Sequence, residues 1–315
     1  MAYEFNSDPE GAILEFALLK NEADRARRAE WEVANLGTTD YGIWDGPGVK
    51  KRKLWEYFEK HHRGARLQID RAFRRLEQAH LLDTLPIDDP SKSEFRQISE
   101  LGSAVIQEGS HREYLSGLSF VVKRWKSGLV KIYHPTDKGI GTGFLVSKSL
   151  VATARHVLDS LSCFELAIEG GPVVPHGAIR YPDDPGLDLA LIELRQPLDG
   201  IPPLRLGRAY ELLDEVVVLG YPPIPMSREA YLVANRGEVS SDITLSGHRA
   251  MIVSCLLRGG NSGGPVLNRR GQVIGVVSQN LVNPLSAEEI DLTQGLGFAA
   301  ALSPDWIQRE LSARK

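Results

Sequence analysis

The chain has 315 residues, 42% of them hydrophobic and 25% charged, and its formal net charge is −4. This composition is typical of a soluble globular protein with one large or two moderate domains. The small net charge supplies no overall attraction to nucleic acid or to a membrane surface. No run of 18 apolar residues occurs, so the sequence predicts no membrane-spanning helix.

Targeting and metal-binding signals are also missing from the sequence. The first ten residues, Met1 to Glu10, contain neither the basic nor the apolar region of a signal peptide. The two cysteines, Cys163 and Cys255, occur singly, and no spacing of cysteines or histidines suggests a metal site. We therefore expect a cytoplasmic protein with reduced thiols, no metal and no other cofactor.

Residues 1–110 have the charged, helical pattern of a separate N-terminal domain. A first helix is predicted over residues 9–34, and one or two helices, interrupted near Gly64, are predicted over residues 51–82. The segment Ser91-Lys-Ser-Glu94 has the pattern of a capping box, which predicts that a further helix begins there and continues to about residue 107.

Basic residues concentrate between Lys50 and Arg75. Ten lysines and arginines less three acids give this stretch a local net charge of +7. A small helical domain with a basic face is compatible with a winged-helix-like reader of nucleic acid. We favour a solvated helix face, or a docking surface for an acidic protein partner, over that interpretation. A charge cluster alone does not identify a protein that binds in a nucleic-acid groove.

His156 directly follows a predicted β-hairpin. Residues 144–146 and 150–152 are apolar and are predicted to pair across Ser147-Lys-Ser149. Asp188 lies at the start of an apolar run whose length and preceding Pro-Gly favour a buried strand. A carboxylate at the mouth of such a strand can be half buried.

Ser262 lies in the sequence Gly259-Gly-Asn-Ser-Gly-Gly-Pro265, between two apolar segments. Glycine accepts positive φ angles and lets the backbone approach a bound carbonyl, so this loop can present a nucleophile and aim main-chain NH groups at an oxyanion. An ordinary Gly-rich turn is the alternative interpretation, because a motif needs a matching context before it indicates chemistry.

Together the three residues supply what a serine nucleophile needs. The hydroxyl requires a base, and histidine titrates closest to neutral pH. A carboxylate on the second imidazole nitrogen holds one tautomer and stabilises the imidazolium. We expect His156, Asp188 and Ser262 to form a catalytic triad, with Asp159 as the competing candidate for the acid.

Several further motifs accompany the triad, namely Gly141-Thr-Gly-Phe144, Val216-Val-Val-Leu-Gly-Tyr-Pro222, Arg236-Gly-Glu-Val239 and Gly295-Leu-Gly-Phe-Ala299. With these motifs and the order His, Asp, Ser, residues 117–303 resemble the trypsin-like serine peptidases of the chymotrypsin fold, particularly the high-temperature-requirement branch. The resemblance implies two six-stranded antiparallel β-barrels with the active site in the cleft between them. We recognise no family in residues 1–110.

The resemblance also implies roles for residues around the nucleophile. The NH groups of Gly260 and Ser262 are expected to form the oxyanion hole. Leu256 is expected at the base of the primary specificity pocket, where an uncharged side chain favours cleavage after an uncharged, apolar residue. Arg258, close to the serine, can alter the charge of that pocket. Asn261 replaces an aspartate of secreted relatives and argues against activation by a new amino terminus.

Substrate binding is expected along the strand that follows the nucleophile. The resemblance implies that Ser278, Gln279 and Asn280 form an edge strand against which an extended peptide pairs. Only 53 residues follow Ser262, so we expect no peptide-binding PDZ domain. Ser303 and Pro304 are predicted to begin a short terminal helix.

The predicted fold class is multidomain, α plus all-β. A small helical N-terminal sensor or adaptor domain covers residues 1–110, a trypsin-like double antiparallel β-barrel covers residues 117–303, and a C-terminal helix in residues 303–315 packs on the second barrel. Many short strands separated by turn signals support the all-β assignment independently of the resemblance.

The predicted function is that of an intracellular serine endopeptidase that cleaves a protein or peptide substrate through an acyl-enzyme. Its N-terminal domain is expected to control or target proteolysis through a regulatory protein partner, an architecture that resembles bacterial stress and immunity effectors. Two alternatives stay open. One is a non-catalytic peptide-binding module of the same fold, and the other is a regulator that responds to nucleic acid on the basic face of residues 50–75.

Overall fold

The computed structural model describes residues 3–21, 24–36, 41–44, 48–60, 64–84, 95–136, 140–207, 209–227, 229–245, 247–278 and 299–313. The chain divides into two compact units, Met1–Ser116 and Gly117–Lys315, which we call unit 1 and unit 2. Of the helices within the described ranges, none combines the length and the apolar character that crossing a bilayer requires.

Unit 1 combines helices with a small sheet. Its α-helices are α1 (Pro9–Asn21), α2 (Arg25–Leu36), α3 (Lys51–Phe58), α4 (Ala65–Gln78), α5 (Glu100–Gln107) and α6 (His111–Ser116). A 3-10 turn covers Tyr41–Trp44, and the strands are β1 (Val49–Lys50), β2 (Leu82–Thr84) and β3 (Phe95–Ile98). The strand β3 pairs antiparallel with both others, so the order is β1-β3-β2.

An aromatic cluster forms the centre of unit 1. Trp31 is fully buried, lies 4.9 Å from Phe16 between ring centroids, and donates its indole NH to Ala12 O at 2.9 Å. Phe58 contacts the same tryptophan from α3. The buried side chains of α1, α3 and α4 join this core, so the apolar stripes predicted for these helices face one another.

Two helix predictions in unit 1 need correction. The single helix expected over residues 9–34 is two helices, because α1 ends at Asn21 and α2 begins at Arg25. The helix expected from Ser91 cannot be continuous, because Phe95–Ile98 is a strand and α5 begins only at Glu100. Ser99 caps α5 by accepting Gly102 NH at 2.8 Å, whereas Ser91 to Glu94 lie outside the described residues.

A buried ionic cluster ties the start of α1 to α6. The Asp8 carboxylate accepts hydrogen bonds from His111 Nε2 at 2.6 Å, Arg112 Nε at 3.0 Å and Gly11 NH at 3.0 Å. Burial acts to raise the pKa of Asp8, but these bonds and the nearby positive charges outweigh it and lower the pKa. No local pattern predicts the pairing of Asp8 with His111, which lies 103 positions away.

Unit 2 is built mainly from strands. The first half contains α7 (Leu118–Trp125), β4 (Leu129–Tyr133), β5 (Ile140–Ser147), β6 (Leu150–Thr153), α8 (Arg155–Asp159), β7 (Glu165–Ile168), β8 (Val173–Val174), β9 (His176–Arg180) and β10 (Ala190–Leu194). The second half contains β11 (Arg205–Leu206), β12 (Glu215–Gly220), β13 (Val233–Leu245), β14 (His248–Val253), β15 (Pro265–Asn268), β16 (Gln272–Val277), β17 (Ala299–Leu302) and α9 (Asp305–Ser312).

These strands form two sheets of seven. The first has the order β8-β7-β4-β5-β6-β10-β9, and the second has the order β11-β16-β15-β12-β13-β14-β17. An additional pairing between β16 and β17 closes six strands of the second sheet into a ring, to which β11 adds in parallel. A helical N-terminal region followed by a double β-barrel is thus confirmed, although each sheet has seven strands rather than the expected six.

The predicted hairpin before His156 is present. Phe144 on β5 pairs with Ala152 on β6, and both side chains are buried. At the other end of unit 2, Pro304 rather than Ser303 occupies the cap position of α9, and Ile307 on that helix is fully buried in a core that includes Val273 of the second sheet.

Candidate active site

Two neighbouring strands bring His156 and Asp188 together. The helix α8, which carries His156, follows β6, and Asp188 lies just before β10, which pairs antiparallel with β6. Asp188 Oδ1 accepts the backbone NH of His156 at 2.8 Å, and Asp188 Oδ2 lies 2.7 Å from His156 Nδ1. Since an ionised carboxylate only accepts hydrogen bonds, Nδ1 carries the proton and Nε2 is left able to accept one.

The carboxylate of Asp188 is held ionised despite its burial. Burial acts to raise its pKa, but hydrogen bonds from His156 and Ser278, together with the charge of the imidazole, lower the pKa below its ordinary value of 3.8. A stable negative charge behind the imidazole favours the imidazolium that forms when the base takes a proton.

Ser278 has a contact that sequence reasoning did not find. Its hydroxyl donates a hydrogen bond to Asp188 Oδ2, and its backbone NH donates to Ala300 O at 3.1 Å. The side chain is buried. Ser278 therefore helps to position the acid, in addition to any contact that its backbone carbonyl makes with a substrate. Its place immediately after β16 is the only sequence signal, and that signal is weak.

The competing acid, Asp159, has a different partner. It pairs with Arg155 Nε at 3.2 Å, one turn away on α8, and lies on the exposed side of the helix. Asp184, another nearby acid, accepts Gly186 NH at 2.8 Å in an exposed turn. Only Asp188 of these three carboxylates reaches the imidazole.

The loop that carries Ser262 docks on the strand β5. Thr142 NH donates to Ser262 O at 2.9 Å, and Thr142 Oγ1 donates to Gly260 O at 2.6 Å. Gly260 has a φ angle of +90° and Gly263 a φ angle of +79°, and a side chain at Gly263 would collide with Thr142 O. Only glycine adopts this backbone at so close an approach without strain.

The backbone donors of this loop divide into two groups. The NH groups of Asn261, Gly263 and Gly264 donate to carbonyls of the protein. The NH groups of Gly260 and Ser262 donate to no protein acceptor in the part of the chain that the structure describes. These two donors are the pair expected to form an oxyanion hole, and both are available for a ligand oxygen.

Ser262 lies beside the residues that lead into α8. A β-carbon placed on Gly263 would come within 2.8 Å of Ala154 N, two positions before His156. Among the described residues, Ser262 Oγ makes no hydrogen bond with His156. Catalytic hydrogen bonds are often long in unliganded enzymes and tighten when substrate binds.

The side chain of Asn261 is enclosed beneath the loop. It is 1% exposed, its Nδ2 donates to Arg258 O at 3.2 Å, and its Oδ1 has no hydrogen-bond partner within the described residues. No hydrogen-bond donor among the described residues reaches that oxygen, so a carboxylate at this position would lack a charged hydrogen-bond partner there.

The specificity residues are only partly described. The Leu256 side chain is 56% exposed, whereas Gln279 and Asn280 lie outside the described residues. Most of the motif from Gly295 to Ala299 also lies outside them. Across the described ranges, no cluster of three or more His, Cys, Asp or Glu side chains could hold a metal ion.

Comparison with known proteins defines the class of this site. Residues 141–276 match the family described as the trypsin-like peptidase domain. Over these residues the chain is similar to trypsin-like peptidase domains.

Individual relatives share only part of their length with the chain. The protein HhoB of Synechocystis is 25% identical over 216 residues, which are 65% of this chain and 49% of HhoB. The serine protease HTRA4 of Homo sapiens is 30% identical over 166 residues, which are 51% of this chain and 33% of HTRA4. A crystal structure of the serine endoprotease from Yersinia pestis aligns with 62% of this chain and 65% of that chain, at 19% identity and a TM-score of 0.48. The chain thus spans half or less of the length of HhoB and of HTRA4.

Proposed function

We propose that this protein is a serine endopeptidase that hydrolyses peptide bonds through an acyl-enzyme. The observation that carries the proposal is the Asp188 carboxylate, which holds both the backbone NH and the Nδ1 of His156 beside the Ser262 loop. Ser262 attacks the scissile carbonyl while His156 takes its proton, and the NH groups of Gly260 and Ser262 receive the oxyanion. His156 then protonates the leaving amine, and water deacylates the serine.

The decisive experiment is labelling with a fluorophosphonate probe, which modifies an activated serine covalently. We expect labelling of the full chain in the presence of cell extract, which would supply an activating partner, and no labelling of the Ser262→Ala variant under the same condition. Ser254→Ala is a matched control, because Ser254 is exposed and its hydroxyl, among the described residues, bonds only to backbone groups of Glu238. Equal labelling of the wild type and Ser262→Ala, or none in the wild type even with cell extract, contradicts the proposal.

We also propose that cleavage follows an uncharged, apolar residue. The uncharged side chain of Leu256, at the expected pocket base, supports this preference. A peptide library scored by mass spectrometry tests it. Cleavage mainly after Lys or Arg contradicts the proposal, and Leu256→Asp is expected to shift cleavage toward those residues.

Control or targeting through unit 1 completes the proposed function. A compact unit with its own aromatic core precedes the peptidase unit, and its basic stretch favours a polyanionic regulatory partner. We further propose that such a partner activates a latent enzyme, in a cytoplasmic stress or immunity role. Partner-dependent probe labelling tests this, and full labelling of the isolated chain contradicts latency.

A further inference from the structure

The elements of unit 1 follow a recognisable order around α4. The elements β1, α3, α4, β2 and β3 follow one another along the chain. The strand β3 lies in the middle of the sheet, so β1 pairs with β3 and not with β2. Two helices in sequence, followed by a pair of strands and joined by a short strand from before the helices, match the element order of a winged helix-turn-helix. In helix-turn-helix proteins, the second helix enters the major groove of DNA.

The two faces of α4 differ sharply in composition. Its buried face consists of Ala65, Ile69, Ala72, Phe73 and Leu76. The opposite face, which we call the α4 outer face, consists of Leu67, Arg71, Arg74 and Gln78, and all four side chains are exposed. Their spacing of four, three and four residues places them in one stripe along the helix.

Acidic residues do not neutralise this stripe. Asp70 lies on a flank of α4 and pairs with Lys51 at 3.2 Å, and Glu77 lies on the same flank and pairs with Arg96 at 2.6 Å. Arg71 and Arg74 have neither an ion pair nor a hydrogen bond with any residue that the structure describes. The α4 outer face thus presents two unpaired guanidinium groups to solvent.

We propose that the α4 outer face binds duplex DNA, with α4 lying in the major groove. An α-helix with its side chains is about 10–12 Å across, and the major groove of B-DNA is about 12 Å wide. Arg71 and Arg74 have the chemistry to contact phosphates or guanine edges, and Leu67 can contact a thymine methyl group. The deep, narrow major groove of duplex RNA does not admit the helix.

This binding is separate from the proposed peptidase activity, so it is tested on the full chain carrying Ser262→Ala. Fluorescence anisotropy with a labelled 24-base-pair duplex of mixed sequence measures affinity from about 50 to 200 mM salt. We expect binding that weakens as salt rises. The double variant Arg71→Gln/Arg74→Gln is expected to lose at least tenfold in affinity and to reduce the salt slope by about one to two.

A second double variant controls for total charge. Arg25→Gln/Lys123→Gln removes two exposed positive charges that are carried by α2 and α7 instead of α4, and we expect it to retain wild-type affinity. Far-UV circular dichroism establishes that both variants are folded. Unlabelled duplex RNA and poly-glutamate at equal charge concentration serve as competitors, and each is expected to compete at least tenfold less well than the duplex DNA.

Three outcomes overturn the proposal. The first is no duplex binding at the lowest salt concentration. The second is equal affinity of the two folded double variants, which would show that total charge rather than the α4 outer face drives association. The third is equal competition by poly-glutamate, which would identify the face as a dock for an acidic protein. None of these outcomes bears on the peptidase, whose serine is absent from the tested chain.

Discussion

Each unit of this protein contains a His–Asp pair of nearly the same length, but the surroundings of the two pairs differ. His156 Nδ1 lies 2.7 Å from Asp188 in unit 2, and His111 Nε2 lies 2.6 Å from Asp8 in unit 1. The His156 side chain is 21% exposed, whereas the His111 side chain is 2% exposed. The two pairs thus share the same histidine–carboxylate hydrogen bond but differ in how far solvent reaches the imidazole.

The two pairs also differ at the imidazole nitrogen that does not contact the carboxylate. His111 Nδ1 is buried without a hydrogen-bond partner in the described residues, and the Tyr3 ring packs edge-on against the imidazole at 4.9 Å. His156 lies partly open beside the loop of Ser262. A carboxylate bond orients a histidine, but only a reachable second nitrogen with a nucleophile nearby makes it a base.

Replacing the acid of each pair gives the largest expected contrast. We expect Asp188→Asn to lower the rate of probe labelling by about 10⁴-fold, because an amide disfavours the tautomer in which Nε2 accepts a proton. Asp8→Asn is expected to leave that rate within about twofold, since Asp8 lies in the other unit. Quenching the labelling reaction at successive times measures both rates. Retention of most activity by Asp188→Asn would move the role of the acid to another residue.

Asn261→Asp tests whether the enclosed site beneath the nucleophile loop tolerates charge. The Asn261 Oδ1 position has no hydrogen-bond donor among the described residues, so we expect a buried carboxylate there to lower the free energy of unfolding by about 3 kcal/mol at pH 7. Urea titration measures the loss, and Asn235→Asp on β13, which is only half-buried, is the matched control. An unchanged midpoint would mean that a cation reaches the loop.

We expect Asp8→Asn to lower the free energy of unfolding of unit 1. The variant loses charge-assisted hydrogen bonds from His111 and Arg112, which are worth about 2 kcal/mol in total after the residual amide contacts. Scanning calorimetry is expected to show a lower unfolding temperature than for Asp83→Asn, an exposed control on β2. Equal unfolding temperatures of the two variants would contradict a structural role for the buried pair.

Ser278→Ala separates positioning of the acid from substrate pairing. Loss of one donor to Asp188 is expected to lower kcat by about tenfold, roughly 1.4 kcal/mol, while KM stays unchanged. Steady-state kinetics on a cleavable peptide decide the question. A raised KM with an unchanged kcat would show that the hydroxyl serves the substrate instead.

The two acids also predict a common pH dependence of stability. Their pKa values are lowered from 3.8 in the folded protein, so the unfolded chain takes up protons first as the pH falls. The stability they contribute is complete well above pH 3.8 and is lost below it. The free energy of unfolding of the wild type should fall more steeply between pH 5 and pH 3 than that of Asp8→Asn/Asp188→Asn. Parallel curves would contradict this linkage.

Sequence reasoning predicted the parts of the site that local pattern encodes. The loop glycines around Ser262 and the hairpin before His156 are short-range signals, and both features are present in the structure. Asp188 was preferred to Asp159 because it lies at the mouth of a predicted buried strand, and the structure supplies the physical reason, which is the pairing of β6 with β10.

Long-range contacts and very short strands could not be predicted in the same way. The Ser278 hydroxyl meets Asp188 across 90 positions, and no local pattern encodes the direction of that hydroxyl. The strand β1 has only two residues, and its pairing with β3 depends on how α3 and α4 pack. A capping box at Ser91 was a valid local signal that the strand Phe95–Ile98 overrode.

The contacts of Thr142 determine when the nucleophile loop can form during folding. Its NH holds Ser262 O, its hydroxyl donates to Gly260 O 118 positions away, and the same oxygen accepts Tyr221 NH at 3.0 Å from 79 positions away. Contacts of such separation form late, because the intervening chain must first be organised. The nucleophile loop therefore acquires its shape only when strands of both sheets are in place. For the proposed peptidase, this means that a nascent or partly unfolded chain has no assembled oxyanion hole with which to cut its neighbours.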